Sequence, residues 1–166
     1  MSDPSEDEFR EFMRSRWSAL VRLGFVLTGE WTAAEDLAQS ALVNAYASWS
    51  KVRRAQDPDA YVRRILVNAN NSRFRKRRVF EQSAEELPEV AVHDRAGEVV
   101  HRSDLLAALR SLPPKQRAVV FLRYCEDLSE TQVAAVLGCS VGNVKSQASR
   151  GLARLRTSDL LVEGSA

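Results

Sequence analysis

Apolar residues return at every fourth position through Leu37, Ala41, Ala45 and Trp49, and again through Val144, Ala148 and Leu152, with Leu155 closing the row. Recurrence at this spacing marks one face of an α-helix. Gly and Pro number only 7 and 5 in 166 residues, so few points can break the pattern. The expected fold class is all-α, and the length admits one ordinary domain or two small ones.

The first half reads as three helices. One runs from about Glu8 to Leu27, turns Phe9, Phe12, Met13, Leu20, Leu23 and Val26 towards a core, and ends at Thr28-Gly29. The second starts near Thr32, with Leu42 and Tyr46 widening its apolar stripe and Glu35, Asp36, Gln39, Ser40 and Asn44 falling elsewhere. After a polar, partly basic loop, Asp57-Pro58 supplies an N-cap and a first-turn proline for a third helix reaching about Arg78.

From Glu81 to Asp104 the chain turns acidic and loses its period, with Pro88 and Gly97 inside, which is linker composition. Beyond it Leu105, Leu106, Leu109 and Leu112 mark a helix that Pro113-Pro114 breaks, and Lys115 to Cys125 resumes the pattern. Ser129 with Gln132 opens a short helix as a capping box, Val133 and Leu137 are its core positions, and Gly138 supplies a tight turn. Ser140 then caps a last helix carrying Lys145, Arg150, Arg154 and Arg156 with no acid before Asp159. Helix, short turn and basic helix spell a helix-turn-helix, whose plain alternative is an ordinary helical hairpin.

Charge matters by position rather than total, since the net charge is only +2. Val62 to Phe80 holds seven basic residues, Arg63, Arg64, Arg73, Arg75, Lys76, Arg77 and Arg78, and no acid. A helix dipole needs one or two cations at most, so a phosphate backbone is the better reason for seven. Asn68, Asn70, Asn71 and Ser72 lie among them and could hydrogen-bond base edges. Phe74 could stack on a base, although a lone aromatic on a helix is expected in the core.

Other classes lack residues to support them. Cys125 and Cys139 are the only cysteines and have no paired spacing, and His93 and His101 stand apart from both, so neither a disulfide framework, a structural metal nor a cofactor is expected. No phosphate loop or nucleophile pairing suggests an enzyme, and no catalytic residue is assigned. The apolar run Ala118 to Leu122 is too short to span a bilayer and the start is acidic, so a cytosolic protein without membrane insertion is expected.

Four strings, Ala34-Glu-Asp-Leu-Ala-Gln39, Tyr61-Val-Arg-Arg-Ile-Leu-Val-Asn68, Leu112-Pro-Pro-Lys-Gln-Arg117, and Leu128-Ser-Glu-Thr-Gln-Val-Ala-Ala135 with Val141-Gly-Asn-Val-Lys-Ser146, stand in this order over nearly the whole chain. Together they resemble the extracytoplasmic-function sigma factors of bacterial RNA polymerase, in particular short actinobacterial members. The resemblance implies a region 2 domain over 1–80, an acidic linker over 81–98, a region 4 helix-turn-helix domain over 99–160 and a tail over 161–166. It implies core RNA polymerase as partner through the β′ clamp coiled coil and the β subunit, promoter DNA, and an anti-sigma factor. Asp36 and Gln39 would dock on the clamp, with Glu35, Ser40 and Asn44 as extensions of that face.

The resemblance further implies that Asn68 captures a flipped base of the minus-ten element while Arg64, Asn71, Arg73, Arg75 and Lys76 follow the strand. Lys145, Ser146, Gln147, Ser149 and Arg150 would meet the minus-thirty-five duplex. The family often has arginine where this chain has Gln147, and glutamine pairs with adenine instead of serving as a phosphate cation. Two other functions remain open on the residues alone: an operator-binding helix-turn-helix regulator, and a sigma-like interaction protein without promoter activity.

Overall fold

The computed structural model describes residues 3–83 and 104–163, and every regular element among them is helical. They fall into two compact units, one within Met1–Arg95 and the other within Ala96–Ala166. The linker expectation over 84–98, His93, His101 and the end of the tail at 164–166 lie outside the described residues.

The first unit holds four described helices where the sequence suggests three: α1 (Pro4–Thr28), α2 (Trp31–Ala47), α3 (Trp49–Arg54) and α4 (Pro58–Ser83). Asp3 caps α1 by accepting from the Ser5 amide at 3.1 Å, and Gly29 ends it in the left-handed conformation at φ 78°. That turn folds α2 back along α1, so Phe9 meets Tyr46 at 5.0 Å and Trp49 at 5.3 Å between ring centres. Near the other end, a Cβ on Gly24 would lie 2.8 Å from the Ala34 carbonyl oxygen, so only glycine permits this approach of two backbones.

The loop expected after α2 contains α3, which buries Trp49 and Val52 and leaves its cations outside. Arg53 reaches Glu8 at 3.1 Å. Asp57 accepts from the Ala60 amide at 3.1 Å and starts α4 as its spacing suggests. Arg16 pairs with Asp59 through Nε and Nη2, one edge of its guanidinium, which fixes the first turn of α4 against α1 and raises the Arg16 pKa, chiefly through that hydrogen bond.

Val62, Leu66 and Val67 bury the first half of α4, whereas Arg73 to Val79 are all exposed. The helix therefore continues as an exposed basic segment, and into residues 81–83 where linker was expected. Phe74 is 62% exposed on this extension, which overturns its expected core place. Tyr46 at 51% and Leu105 at 49% exposure likewise fall outside the cores to which their spacing assigns them.

The second unit comprises α5 (Asp104–Leu109), α6 (Pro114–Val120), a π-helical turn (Phe121–Cys125), α7 (Glu130–Leu137) and α8 (Val141–Glu163). Gln116 to Leu122 are buried without interruption, so α6 runs through the core and not across its surface. Burial lowers the Arg117 pKa, and the charge of Arg110 adds to the effect. Continuous helix should have run on to Cys125; instead the Glu126 amide bonds the Phe121 carbonyl at 3.1 Å, the five-residue closure of a π turn. Asp127 then takes φ 53° and leads the chain into α7.

The capping box is formed as expected: Gln132 N donates to Ser129 Oγ at 3.1 Å, and Ser129 N donates to Gln132 Oε1 at 2.8 Å. Gly138 turns at φ 69° and Ser140 accepts from the Asn143 amide at 3.0 Å. Val144 and Ala148 are buried, and Gly151 sits against Val120, where a Cβ would come within 2.6 Å of Val120 Cγ2.

Candidate nucleic-acid interface

Two grooves flank the free face of α2. Towards α4, Asp36, Ser40, Asn44 and Ser48 form one wall and Tyr61, Ile65, Asn68, Ser72, Arg73 and Lys76 the other, around about 720 Å³. The two helices run antiparallel here: Arg73 Nη1 donates to the Ala33 carbonyl at 3.4 Å at one end, while Ser48 and Tyr61 share the other. Towards α1, Gln39, Leu42, Val43 and Tyr46 face Phe9, Met13 and Trp17 around about 640 Å³. Val43 is 67% exposed, an apolar position on this face that helical spacing alone does not single out.

Glu35, Asp36, Gln39, Ser40 and Asn44 are all exposed, and none of their side chains has a hydrogen bond or ion pair among the described residues. They do not form one surface in a simple sense. Asp36, Ser40 and Asn44 look into the polar groove, Gln39 into the apolar one, and Glu35 lines neither.

On α4 the structure puts Asn68, Arg73 and Lys76 in the groove. Asn71 and Arg75 are exposed but outside its lining, and Arg64 is half-buried and engaged within the fold. Exposed Phe74 stands between the exposed Arg73 and Arg75, so an aromatic face and cations occur on one segment. That juxtaposition is typical of single-strand binding surfaces, where stacking is indifferent to sequence and charge supplies affinity.

In the second unit the outer face of α8 presents Lys145, Ser146, Ser149 and Arg150, all exposed. Gln147 lies towards the buried row of Val144, Ala148 and Gly151 and is half-buried, so it stands at the edge of that face. Lys145 Nζ is 3.8 Å from Glu130 Oε2, a contact across the helix-turn-helix that the bare sequence did not reveal. Such an exposed pair contributes at most about 1 kcal/mol, too little to withhold the lysine from a phosphate.

No group of His, Cys, Asp and Glu suited to a metal occurs among the described residues, and no described helix is long and apolar enough to cross a membrane. Cys125 is half-buried, and burial, reinforced by Glu126 and Asp127, raises its thiol pKa.

Comparison with known proteins gives the same division. Residues 9–79 match the sigma-70 region 2 profile, and residues 102–155 match sigma-70 region 4. The chain is 41% identical to the RNA polymerase sigma-E factor of Streptomyces avermitilis over 90% of its own length and 83% of the relative's. It is 40% identical to the RNA polymerase sigma-E factor of Streptomyces coelicolor over 90% of its length and 84% of that protein's. Among solved structures it is similar to the sigma factor RpoE of Bartonella quintana, crystallised with the anti-sigma factor NepR. That match has a TM-score of 0.73, 28% identity and coverage of 90% of this chain and 95% of that one.

Proposed function

The chain belongs to the sigma-70 family of RNA polymerase sigma factors, in its extracytoplasmic-function group, and on that premise we propose how its surfaces divide the work of directing transcription initiation. Glu35, Asp36 and Gln39 dock the first unit on core polymerase at the β′ clamp coiled coil, with the β subunit as a second contact of the holoenzyme. Their exposure and the lack of side-chain partners among the described residues support this, because a docking carboxylate or amide that was already paired would have to be released first.

The groove between α2 and α4 receives a minus-ten base turned out of the duplex. Unstacking costs a few kcal/mol, which hydrogen bonds in the groove and stacking must offset, and this makes opening selective for sequence. Asn68 reads the base, and Arg73, Arg75 and Lys76 with Asn71 hold the separated strand, with Arg64 supporting from the body of α4. Lys145, Ser146, Ser149 and Arg150 enter the minus-thirty-five major groove, with Gln147 at the edge of that contact.

Each DNA surface is small, and holding both on one polymerase replaces two weak bindings by one with a high effective concentration. The protein thus acts by placing DNA and not by catalysis, and its workplace is the cytoplasm, where polymerase and promoters are. An anti-sigma factor is a further partner, as RpoE of Bartonella quintana has in NepR, and the exposed Val43 and Tyr46 offer it an apolar purchase.

The observation that carries this reading is the groove that gathers Asn68, Arg73 and Lys76. It is tested by permanganate footprinting of holoenzyme on a promoter it serves. Asn68→Ala should lower the reactivity of minus-ten thymines more than it lowers closed-complex binding, and equal reactivity would refute the assignment.

A further inference from the structure

The sequence divides labour between helices, with α2 expected for polymerase and α4 for DNA. The structure does not keep them apart. Asp36, Ser40 and Asn44 are spaced by four on α2, with Ser48 continuing the row at its C-cap, and together with Leu37 they line one side of the groove whose other side carries Asn68. The helices run antiparallel, with Arg73 on Ala33 at one end and Ser48 and Tyr61 lining the other, and Asn44 and Asn68 both line the groove between these ends.

The groove is chemically graded along this register. Arg73 and Lys76 lie at its Asp36 end, where a phosphate would be held. Further along, the Asn44 amide from α2 and the Asn68 amide from α4 line the same groove, with the half-buried Ile65 also in its lining. The Asn44 side chain is exposed and makes no hydrogen bond among the described residues; only its backbone carbonyl is engaged, by the Ser48 amide at 3.2 Å and hydroxyl at 2.9 Å. A carboxamide carries a donor and an acceptor side by side, which is the pattern that reads a base edge, whereas docking on a protein surface has no need of one facing into a cleft.

We propose that Asn44 is a base-specificity determinant for the separated minus-ten strand, completing with Asn68 a slot that reads an unstacked base from two helices. The inference rests on the reading that α4 handles this strand. It moves Asn44 from the expected docking face to the DNA face, and leaves docking to Glu35, Asp36 and Gln39.

The test uses holoenzyme reconstituted from core polymerase and the full chain, transcribing a promoter library randomised across the minus-ten element, with transcripts sequenced. Wild type, Asn44→Ala and Asn68→Ala are compared, and core affinity is measured in parallel. Asn44→Ala should relax the preference at one minus-ten position by about tenfold, at or next to the position relaxed by Asn68→Ala, with core affinity within about twofold of wild type. If Asn68→Ala relaxes a preference and Asn44→Ala relaxes none, this proposal is overturned and the minus-ten reading of α4 stands. If neither does, the reading beneath it falls as well. Weakened core binding by Asn44→Ala with all preferences intact would return the residue to the docking face and overturn the proposal.

Discussion

Asp36 and Gln39 stand one turn apart on α2, yet Asp36 lines the polar groove towards α4 and Gln39 the apolar groove towards α1. A partner that grips both must lie across the ridge between the grooves. Asp36→Ala combined with Gln39→Ala should weaken core polymerase binding by about tenfold or more, which corresponds to ~1.4 kcal/mol. Both side chains are exposed and unpaired within the described fold, so thermal unfolding should be unchanged. Core affinity equal to wild type in a pull-down would refute the docking assignment.

Lys145 and Arg150 are expected to meet phosphate or base on the minus-thirty-five duplex. Taking one cation away from a phosphate should flatten the dependence of log affinity on log salt by about one unit. Replacing both by alanine should therefore lower the slope of holoenzyme binding to promoter duplex by about one to two. An unchanged slope would remove both from the interface.

Gly24→Ala sets helix propensity against packing. Alanine favours a helix interior by about 1 kcal/mol over glycine, but its Cβ would sit 2.8 Å from the Ala34 carbonyl oxygen and 2.9 Å from its Cα, which are backbone atoms unable to turn aside. Overpacking of this kind costs about 1–3 kcal/mol, so the variant should melt at lower temperature by circular dichroism. A raised melting temperature would show that α1 and α2 separate easily.

Ser129→Ala removes one half of the reciprocal cap on α7 and leaves the Gln132 amide without its acceptor. A loss of about 0.5–2 kcal/mol is expected, together with weaker promoter binding, because α7 supports the turn into α8. Unaltered stability in urea titration would contradict a structural role for the box.

Cys125 has its thiol pKa raised, by burial first and then by Glu126 and Asp127. The thiolate is the disfavoured form, so at neutral pH alkylation of Cys125 in the native protein should be slower than in the urea-unfolded chain. Its rate should climb only above the ordinary thiol range near ~8.5. Rapid native alkylation at neutral pH, read by peptide mass, would contradict the description of a half-buried thiol with a raised pKa.

What the sequence makes legible here is what is local. Asp57-Pro58, Gly29, Ser129 with Gln132, and Gly138 each bound a helix through contacts within a few residues, and each is found doing so. The cores of α1 and α2 are legible too, because Leu37, Ala41, Ala45, Leu23 and Val26 keep one face. Periodicity marks an apolar stripe without saying what covers it, and among the described residues Phe74 and Leu105 are left exposed. The six-residue α3 is too short to show a period, and the π turn after Val120 depends on how Phe121 and Leu122 are accommodated in the core.

The site residues divide in the same way. Exposure of Asp36, Gln39, Asn68 and Arg150 follows from their helix faces and could be read directly. The meeting of Asn44 with the Asn68 wall depends on the register of α2 against α4, which Arg73 and Ala33 set over a separation of 40 residues. The Glu130 contact to Lys145 likewise crosses a turn that sequence marks without aiming.

The most direct measurement is transcript-start mapping on a fragmented genomic library, with core polymerase alone and with core plus this protein. The account predicts new starts that appear only with the protein and share two upstream motifs at constant spacing. Binding of DNA by the folded protein alone, with no new starts in the presence of core, would contradict it and favour an operator-binding regulator.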